Sequence, residues 1–288
     1  PSSRTTLKIY YVNSSKVKKK KKKMKKQFNI TVQDLIEVGT QFGHRDSSLH
    51  PSMYDYVYGT SNGVCILDLD KTLDRLRKVS ELMETMGEKK KTVLLIGTKE
   101  HIRNLIEEIA QSVGFFYINK RWSPGTLTNF KTLLDVFRKY NNIKTQLESD
   151  KNKIENKNVT KYKRKINKIE SLFTGINKMN ELPDLVIIVD VKHESKALLE
   201  AKKCKIPIIG IVDSDSDFNS CDYPIPGNDD STKSINIILK ELQEAYTHGI
   251  KNTVSVRKTN FRESSESKYS NSSTPSDKKD IKSDNTTI

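Results

Sequence analysis

The chain has 288 residues, of which 34% are hydrophobic and 30% charged, and its formal net charge at pH 7 is +15. The length allows one large domain or two small ones, and no apolar run approaches the roughly 18–20 residues that a membrane span needs. The cysteines Cys65, Cys204 and Cys221 form no CxxC pair, and their odd number suggests reduced thiols in a non-secreted protein.

The positive charge lies mainly outside the central part of the chain. Residues 1–33 carry eleven Lys and Arg and no acid, and residues 131–180 carry thirteen against five acids. Residues 34–130 and 181–250 together carry a net charge of −7. An AT-biased genome would raise the Lys content everywhere, but it does not explain an acidic body. The distribution therefore predicts a polyanionic partner that is bound in a salt-dependent way.

Residues 1–30 are a basic leader that is rich in Ser and Lys and cannot build a core. A leader without acids resembles an organelle targeting segment, although such segments usually favour Arg over Lys. A nucleic-acid-binding arm is the competing interpretation, and one segment could serve both purposes.

From Thr31 to about residue 250, apolar strand patterns alternate with helical patterns. The first buried strand is Val64–Leu67. A helix is expected to follow this strand and to end near Gly87. The next predicted strands are Thr92–Ile96, Phe115–Ile118, Leu185–Val189 and Ile206–Val212, with a short apolar segment at Tyr223–Ile225. Strands buried on both faces and separated by helices predict an α/β fold with a three-layer parallel sheet, of flavodoxin- or Rossmann-like type.

Two further segments complete the predicted organisation. Residues 131–179 interrupt the domain at 31–250 with two amphipathic patterns around a polar tip, which predicts an inserted α-helical hairpin. A last helix covers Ser234–Tyr246 and is expected to end at Gly249. The composition of residues 251–288 predicts a disordered C-terminal tail.

The loop after Phe115–Ile118 has side chains that suit phosphate. Lys120 and Arg121 are followed by Trp122, the only tryptophan, and then by the turn 123–125. Thr128 and Asn129 are N-cap residue types in front of a helical pattern. Such a loop can present cationic and hydroxyl donors together with helix N-terminal amides. A loop whose Trp packs on the core and whose Arg is solvated is an equally open interpretation.

An enzyme is the main alternative for a sheet of this type. Its best candidate site is a nucleotide turn at Gly97-Thr98-Lys99, which has one glycine and matches no phosphate-loop pattern. Asp213, Asp215 and Asp217 imitate the start of a calcium loop, but the sixth and twelfth positions are wrong. Asp190 and Asp213 fit helix N-caps better than catalytic carboxylates. We therefore expect no catalytic residue, no metal and no cofactor.

Motifs spread in order over residues 31–250 resemble the small-subunit ribosomal protein S2 family in its bacterial and organellar form. The matching stretches are Gly39-Thr-Gln-Phe-Gly-His-Arg45, His50-Pro-Ser-Met53, Tyr58-Gly-Thr-Ser-Asn-Gly-Val64, Leu67-Asp-Leu-Asp-Lys-Thr72, Leu95-Ile-Gly-Thr-Lys99, Asn119-Lys-Arg-Trp122, Gly125-Thr-Leu-Thr-Asn129, Leu182-Pro-Asp184, Ile206-Pro207, Ile211-Val-Asp213 and Ile225-Pro-Gly-Asn-Asp-Asp230. Ser123-Pro124 stand where bacterial members usually carry Leu-Gly, a departure expected to alter the loop beside Trp122.

The resemblance implies a non-enzymatic structural component of the small ribosomal subunit, with ribosomal RNA and neighbouring small-subunit proteins as partners. It implies neither a membrane nor a small-molecule substrate. The residues expected to contact RNA are His44, Arg45, Lys99, Lys120, Arg121, Trp122, Thr128, Asn129 and Lys131. Thr128 and Asn129 are expected to cap the next helix, and Trp122 either to stack on a base or to anchor the loop. The leader and the composition favour an organellar ribosome, in the mitochondrion rather than in a plastid or apicoplast.

Overall fold

The structure, a computed structural model, describes residues 26–149 and 172–269. The strands are β1 (Phe42–Arg45), β2 (Val57–Ser61), β3 (Val64–Leu67), β4 (Val93–Ile96), β5 (Phe116–Ile118), β6 (Leu185–Val189), β7 (Ile208–Val212) and β8 (Tyr223–Pro226). The α-helices are α1 (Val32–Glu37), α2 (Leu69–Glu88), α3 (Arg103–Val113), α4 (Phe130–Ser149), α5 (Ser195–Lys203) and α6 (Thr232–Tyr269).

The main sheet is parallel and has the strand order β5-β4-β6-β7-β8. Counted along the chain this is the order 2-1-3-4-5 of flavodoxin-like folds, whose strand order reverses between the first and third strands. Every residue of β4, β6 and β7 is buried, because helices cover both faces of the sheet. The reversal lies between β4 and β6, where such folds leave a crevice at the carboxyl ends of the strands.

The two faces of the main sheet are covered by different helices. On one face, α2, α3 and α6 contribute core residues such as Leu76, Ile106 and Leu239. On the other, α4 and α5 contribute Phe130 and Ala201. This confirms the predicted three-layer α/β fold. Among the described residues, no helix has both the length and the apolar character that crossing a membrane requires.

A second, small sheet has the antiparallel order β1-β3-β2. The prediction that Val64–Leu67 (β3) belongs to the parallel series is therefore wrong. The turn between β2 and β3 is Asn62-Gly63, and both residues have positive φ, 53° and 76°. That conformation suits the tight turn of an antiparallel hairpin, so β3 pairs with its neighbour before the main sheet begins.

Helices α2 and α6 approach each other closely at two glycines. A Cβ atom on Gly87 would touch the carbonyl oxygen of Tyr246, and one on Gly249 would touch that of Glu84. The predicted helix end at Gly249 is wrong, because α6 continues to Tyr269 and uses this glycine for packing. The first part of the expected disordered tail, residues 251–269, is thus helical.

Some predictions fall outside the described residues. They concern most of the leader (residues 1–25), the tip and most of the second arm of the hairpin (150–171) and the end of the tail (270–288). The described part of the predicted hairpin is residues 131–149, which belong to α4, together with residues 172–179. The rings of Phe137 and Phe173 meet edge to face with their centroids 5.7 Å apart, so the two ends of the insertion lie together on the body.

Candidate nucleic-acid interface

A cleft of about 580 Å³ opens at the carboxyl ends of β5, β4 and β6, beside the reversal of strand order. Its lining comes from the segments that follow these strands and from the start of α5: Thr98, Lys99, Glu100, His101, Arg103, Lys120, Arg121, Trp122, His193, Glu194, Ser195 and Lys196. The fold thus brings together four of the predicted RNA-contacting residues, Lys99, Lys120, Arg121 and Trp122. It adds Arg103 and Lys196, which the sequence did not single out.

The cations on the rim of this cleft differ in their pairing. Lys120 and Arg121 are exposed, and neither forms an ion pair or side-chain hydrogen bond with another described residue. Arg103 lies 3.5 Å from the exposed carboxylate of Glu100, and its buried Nε has no hydrogen-bond partner among the described residues. The side chains of Lys120 and Arg121 therefore remain available to an anion.

The carboxylate of Glu200, on α5, accepts hydrogen bonds from the loop that follows Lys120 and Arg121. Its Oε1 accepts hydrogen bonds from the Trp122 indole Nε1 at 3.0 Å and from the Gly125 amide at 2.8 Å. Its Oε2 accepts from the amides of Leu127 and Thr128, at 3.0 and 3.2 Å, and from the Thr128 hydroxyl at 3.2 Å. Burial raises the pKa of Glu200, but these hydrogen bonds outweigh it and hold the pKa below its ordinary value.

Glu200 corrects two expectations for this loop. Thr128 does not cap α4 or offer its amide to RNA, because its amide and hydroxyl are both bonded to the carboxylate. The loop amides do bind an anion, as their chemistry predicts, but that anion belongs to the protein. Trp122 is only 6% exposed and packs in the core, which gives it the anchoring role rather than that of a stacking platform.

Lys99 lines the cleft, but its ammonium group is paired with carboxylates that follow β6 and β8. Its Nζ lies 2.6 Å from Asp190, 2.9 Å from Asp229 and 2.7 Å from Asp230. Burial lowers the pKa of Lys99, but these carboxylates more than compensate and raise it above the ordinary value. A lysine paired in this way is poorly placed to bind phosphate. A nucleotide turn at Gly97-Thr98-Lys99 would also need the Thr98 amide, which instead donates to Glu194 at 2.8 Å.

His44 joins the same group of charges from the small sheet. Its Nδ1 lies 3.2 Å from Asp213, and its Nε2 lies 3.5 Å from Asp230 and 3.9 Å from Asp215. The Asp213 carboxylate is the main cause that raises the pKa of His44 to about 9. Asp229 is almost fully buried, and burial together with Asp190 and Asp213 raises its pKa to about 7.

This charged group is also where the described residues come closest to a metal site. Ligating atoms of His44, Asp229 and Asp230 lie within 4.8 Å of one another. The ammonium group of Lys99 already contacts both of these carboxylates, so the protein supplies its own cation there.

The expectation of N-caps at Asp190 and Asp213 is wrong. The N-cap of α5 is Glu194, and Asp190 instead accepts the His193 amide at 2.8 Å. After Asp213, the next helical turn is the short 3-10 helix Phe218–Ser220, whose N-cap is Asp217.

The remaining predicted residues lie on the surface. Arg45, Asn129 and Lys131 are all exposed, and the Oδ1 of Asn129 accepts the Thr132 hydroxyl at 2.7 Å. Glu200 was missed, although a signal for it exists. It stands with Ala197 and Ala201 on the buried face of α5, and a carboxylate at helical spacing among apolar residues needs donors from another element.

Comparison with known proteins agrees with the fold and with the motifs. A family model described as ribosomal protein S2 matches residues 35–249. The chain is 36% identical over 222 residues to small ribosomal subunit protein uS2 of Hahella chejuensis. The match covers 77% of this chain and 88% of the relative. It is 38% identical over 224 residues to small ribosomal subunit protein uS2 of Dictyoglomus thermophilum. That match covers 77% of this chain and 90% of the relative. The chain therefore belongs to the ribosomal protein S2 family and is a structural protein, not an enzyme.

Proposed function

We propose that the protein is a structural constituent of the small subunit of an organellar ribosome and that it binds ribosomal RNA there. Membership of the ribosomal protein S2 family and relatives named small ribosomal subunit protein uS2 support the ribosomal role. Its partners are then the small-subunit RNA and the neighbouring small-subunit proteins.

The observation that carries RNA binding is that Lys120 and Arg121, on the rim of the cleft, have no ion-pair partner among the described residues. Arg103 and Lys196 line the same cleft, so several cations can reach one stretch of backbone. Contacts of this kind give affinity and register without reading sequence, and phosphate neutralisation makes them depend on salt. RNA binding at His44, Arg45, Asn129 and Lys131 stays a prediction, whereas Lys99 and Thr128 are committed to carboxylates.

The organellar assignment is supported by the chain outside the family match. Residues 1–33 are basic, free of acids and rich in Ser, which is typical of an organelle targeting segment, although Lys replaces the usual Arg. We favour the mitochondrion over a plastid. A full-length tagged copy should therefore co-sediment with the small subunits of an organelle lysate, and EDTA should shift both together. A free pool of the protein away from the subunits would contradict the proposal.

Arg121→Ala tests the cleft itself. The affinity of the full chain for in vitro transcribed small-subunit RNA should fall at every sequence tested. The slope of log affinity against log salt should decrease by about one, because one phosphate contact is lost. The matched control is Lys78→Ala, which removes one exposed charge on α2, paired with Asp74 at 2.7 Å. Equal effects of the two variants, or none from Arg121→Ala, would exclude the cleft as the RNA-binding surface.

A further inference from the structure

Lys120 and Arg121 are the two cationic residues between the end of β5 and the buried Trp122, and they lie between fixed neighbours. On one side, the Asn119 side-chain amide donates to the Arg103 carbonyl at 3.0 Å and to Glu107 at 3.2 Å. On the other, the Trp122 indole donates to Glu200. The path of the loop between these residues therefore depends on both anchors.

Among the described residues, Glu200 is the acceptor for five hydrogen bonds from residues 122–128. Its side chain is 9% exposed, and hydrogen bonds to a buried charged group are stronger than those between neutral groups. Losing the carboxylate would leave the buried Leu127 amide and the buried Trp122 indole N–H without this partner, which costs more than losing an exposed contact. No other described side chain holds the loop through as many contacts.

Glu200 also links the loop to the helix that carries Lys196, which lines the same cleft as Lys120 and Arg121. Lys196 precedes Glu200 by four residues on α5, which is one helical turn. The carboxylate thus ties the segment after Lys120 and Arg121 to the helix that carries Lys196. An RNA backbone that contacts all three cations needs their relative positions to be constant.

We propose that Glu200 is a positioning residue of the RNA-binding cleft, which holds the 122–128 loop so that Lys120 and Arg121 face the same phosphates as Lys196. The inference rests on the proposed function, since it needs the cleft to bind RNA. It differs from a purely structural role, because a structural role predicts lower stability but unchanged affinity in the fraction that is folded.

Glu200→Gln is the test, because it keeps the side-chain volume and replaces one acceptor oxygen by a donor. Well below the melting temperature, the full chain should bind small-subunit RNA at least about fivefold more weakly, and the Arg121→Ala effect should shrink when both changes are combined. The matched control is Glu241→Gln. Glu241 is also buried, but on α6, where it accepts the Ser80 hydroxyl and pairs with Lys26, both at 2.7 Å.

The outcomes separate this inference from the proposed function. If Arg121→Ala weakens binding while Glu200→Gln does not, or if the two effects are simply additive, the positioning role is wrong and the cleft stands. If Arg121→Ala itself has no effect, the proposed cleft fails first. Should Glu200→Gln not fold, Trp122→Phe and Thr128→Val each delete one side-chain donor to Glu200, and Thr128→Val does so with little change in volume. Each should weaken binding in the same direction, and unchanged binding in both would overturn the inference.

Discussion

His44 shows how single residues join the small sheet to the main sheet. Its amide donates to the Ser214 hydroxyl at 2.8 Å, and the Ser214 carbonyl accepts the His50 amide at 2.9 Å. The imidazole adds the charged contact to Asp213. A Cβ atom on Gly43 would lie 2.6 Å from the Ser214 hydroxyl oxygen, so the segments that carry His44 and Ser214 are in direct contact.

The raised pKa of His44 predicts a dependence of stability on pH. Because the folded value of about 9 exceeds the ordinary value of 6.5, the contribution of His44 is full below the ordinary value and is lost as pH rises through the folded one. The melting temperature of His44→Gln should fall further below wild type at about pH 6 than at about pH 10. Thermal melts by circular dichroism at both pH values measure this. A difference that stays constant would contradict the charged contact.

At the scale of the elements, the α2–α6 contact explains why Gly249 lies inside a helix. Gly249→Ala would gain up to about 1 kcal/mol of helix propensity in an exposed helix. Here the new methyl group would meet backbone atoms of Glu84 and Glu88, and overpacking of this kind costs roughly 1–3 kcal/mol. Urea denaturation should therefore show a net loss of stability. The control is Gly59→Ala, where a Cβ atom has nothing within 4 Å; equal losses in the two variants would refute the packing role.

The elements that the sequence predicts well are those whose signals are local. The continuous apolar runs of β4, β6 and β7 indicate strands buried on both faces, and the structure confirms this. Pairing partners are less local. The Asn62-Gly63 turn pairs β3 with β2 in the small sheet. Gly249 has the residue type of a helix end, and only its contact with α2 shows that it serves packing instead. Glu200 is farther still, because its donors Trp122 and Thr128 come from a segment more than seventy residues earlier.

At the scale of the whole molecule, charge divides the chain into an acidic body and basic extensions. The cleft is a local exception, since Lys120 and Arg121 stand on the acidic body. The predicted hairpin carries much of the internal positive charge: residues 141–168 hold nine Lys and Arg against three acids. An RNA bound at the cleft and along the hairpin would touch two separate basic regions. Two linked contacts reinforce each other, because the second forms at a high effective concentration.

The structure shows where the hairpin can be cut without opening the core. Phe137 and Tyr140 are buried at 4% and 5% exposure, whereas Asn141 and Asn142 are exposed. Phe173, against which Phe137 packs, lies beyond the other end of the segment. Deleting residues 141–168 and closing the gap with a short Gly/Ser linker should therefore leave the α/β body folded. Far-UV circular dichroism and the melting temperature check this.

The same deletion should weaken both RNA affinity and incorporation into small subunits, and it should flatten the salt dependence, because several phosphate contacts are lost together. The matched variant keeps the length of the segment and replaces its nine Lys and Arg by Gln, so that only charge is removed. Both variants should lose affinity to a similar degree if the segment acts through its charge. If the variant without residues 141–168 fails to fold, the segment belongs to the core. A folded one that binds RNA as tightly as wild type would show that the hairpin is not an RNA-binding arm.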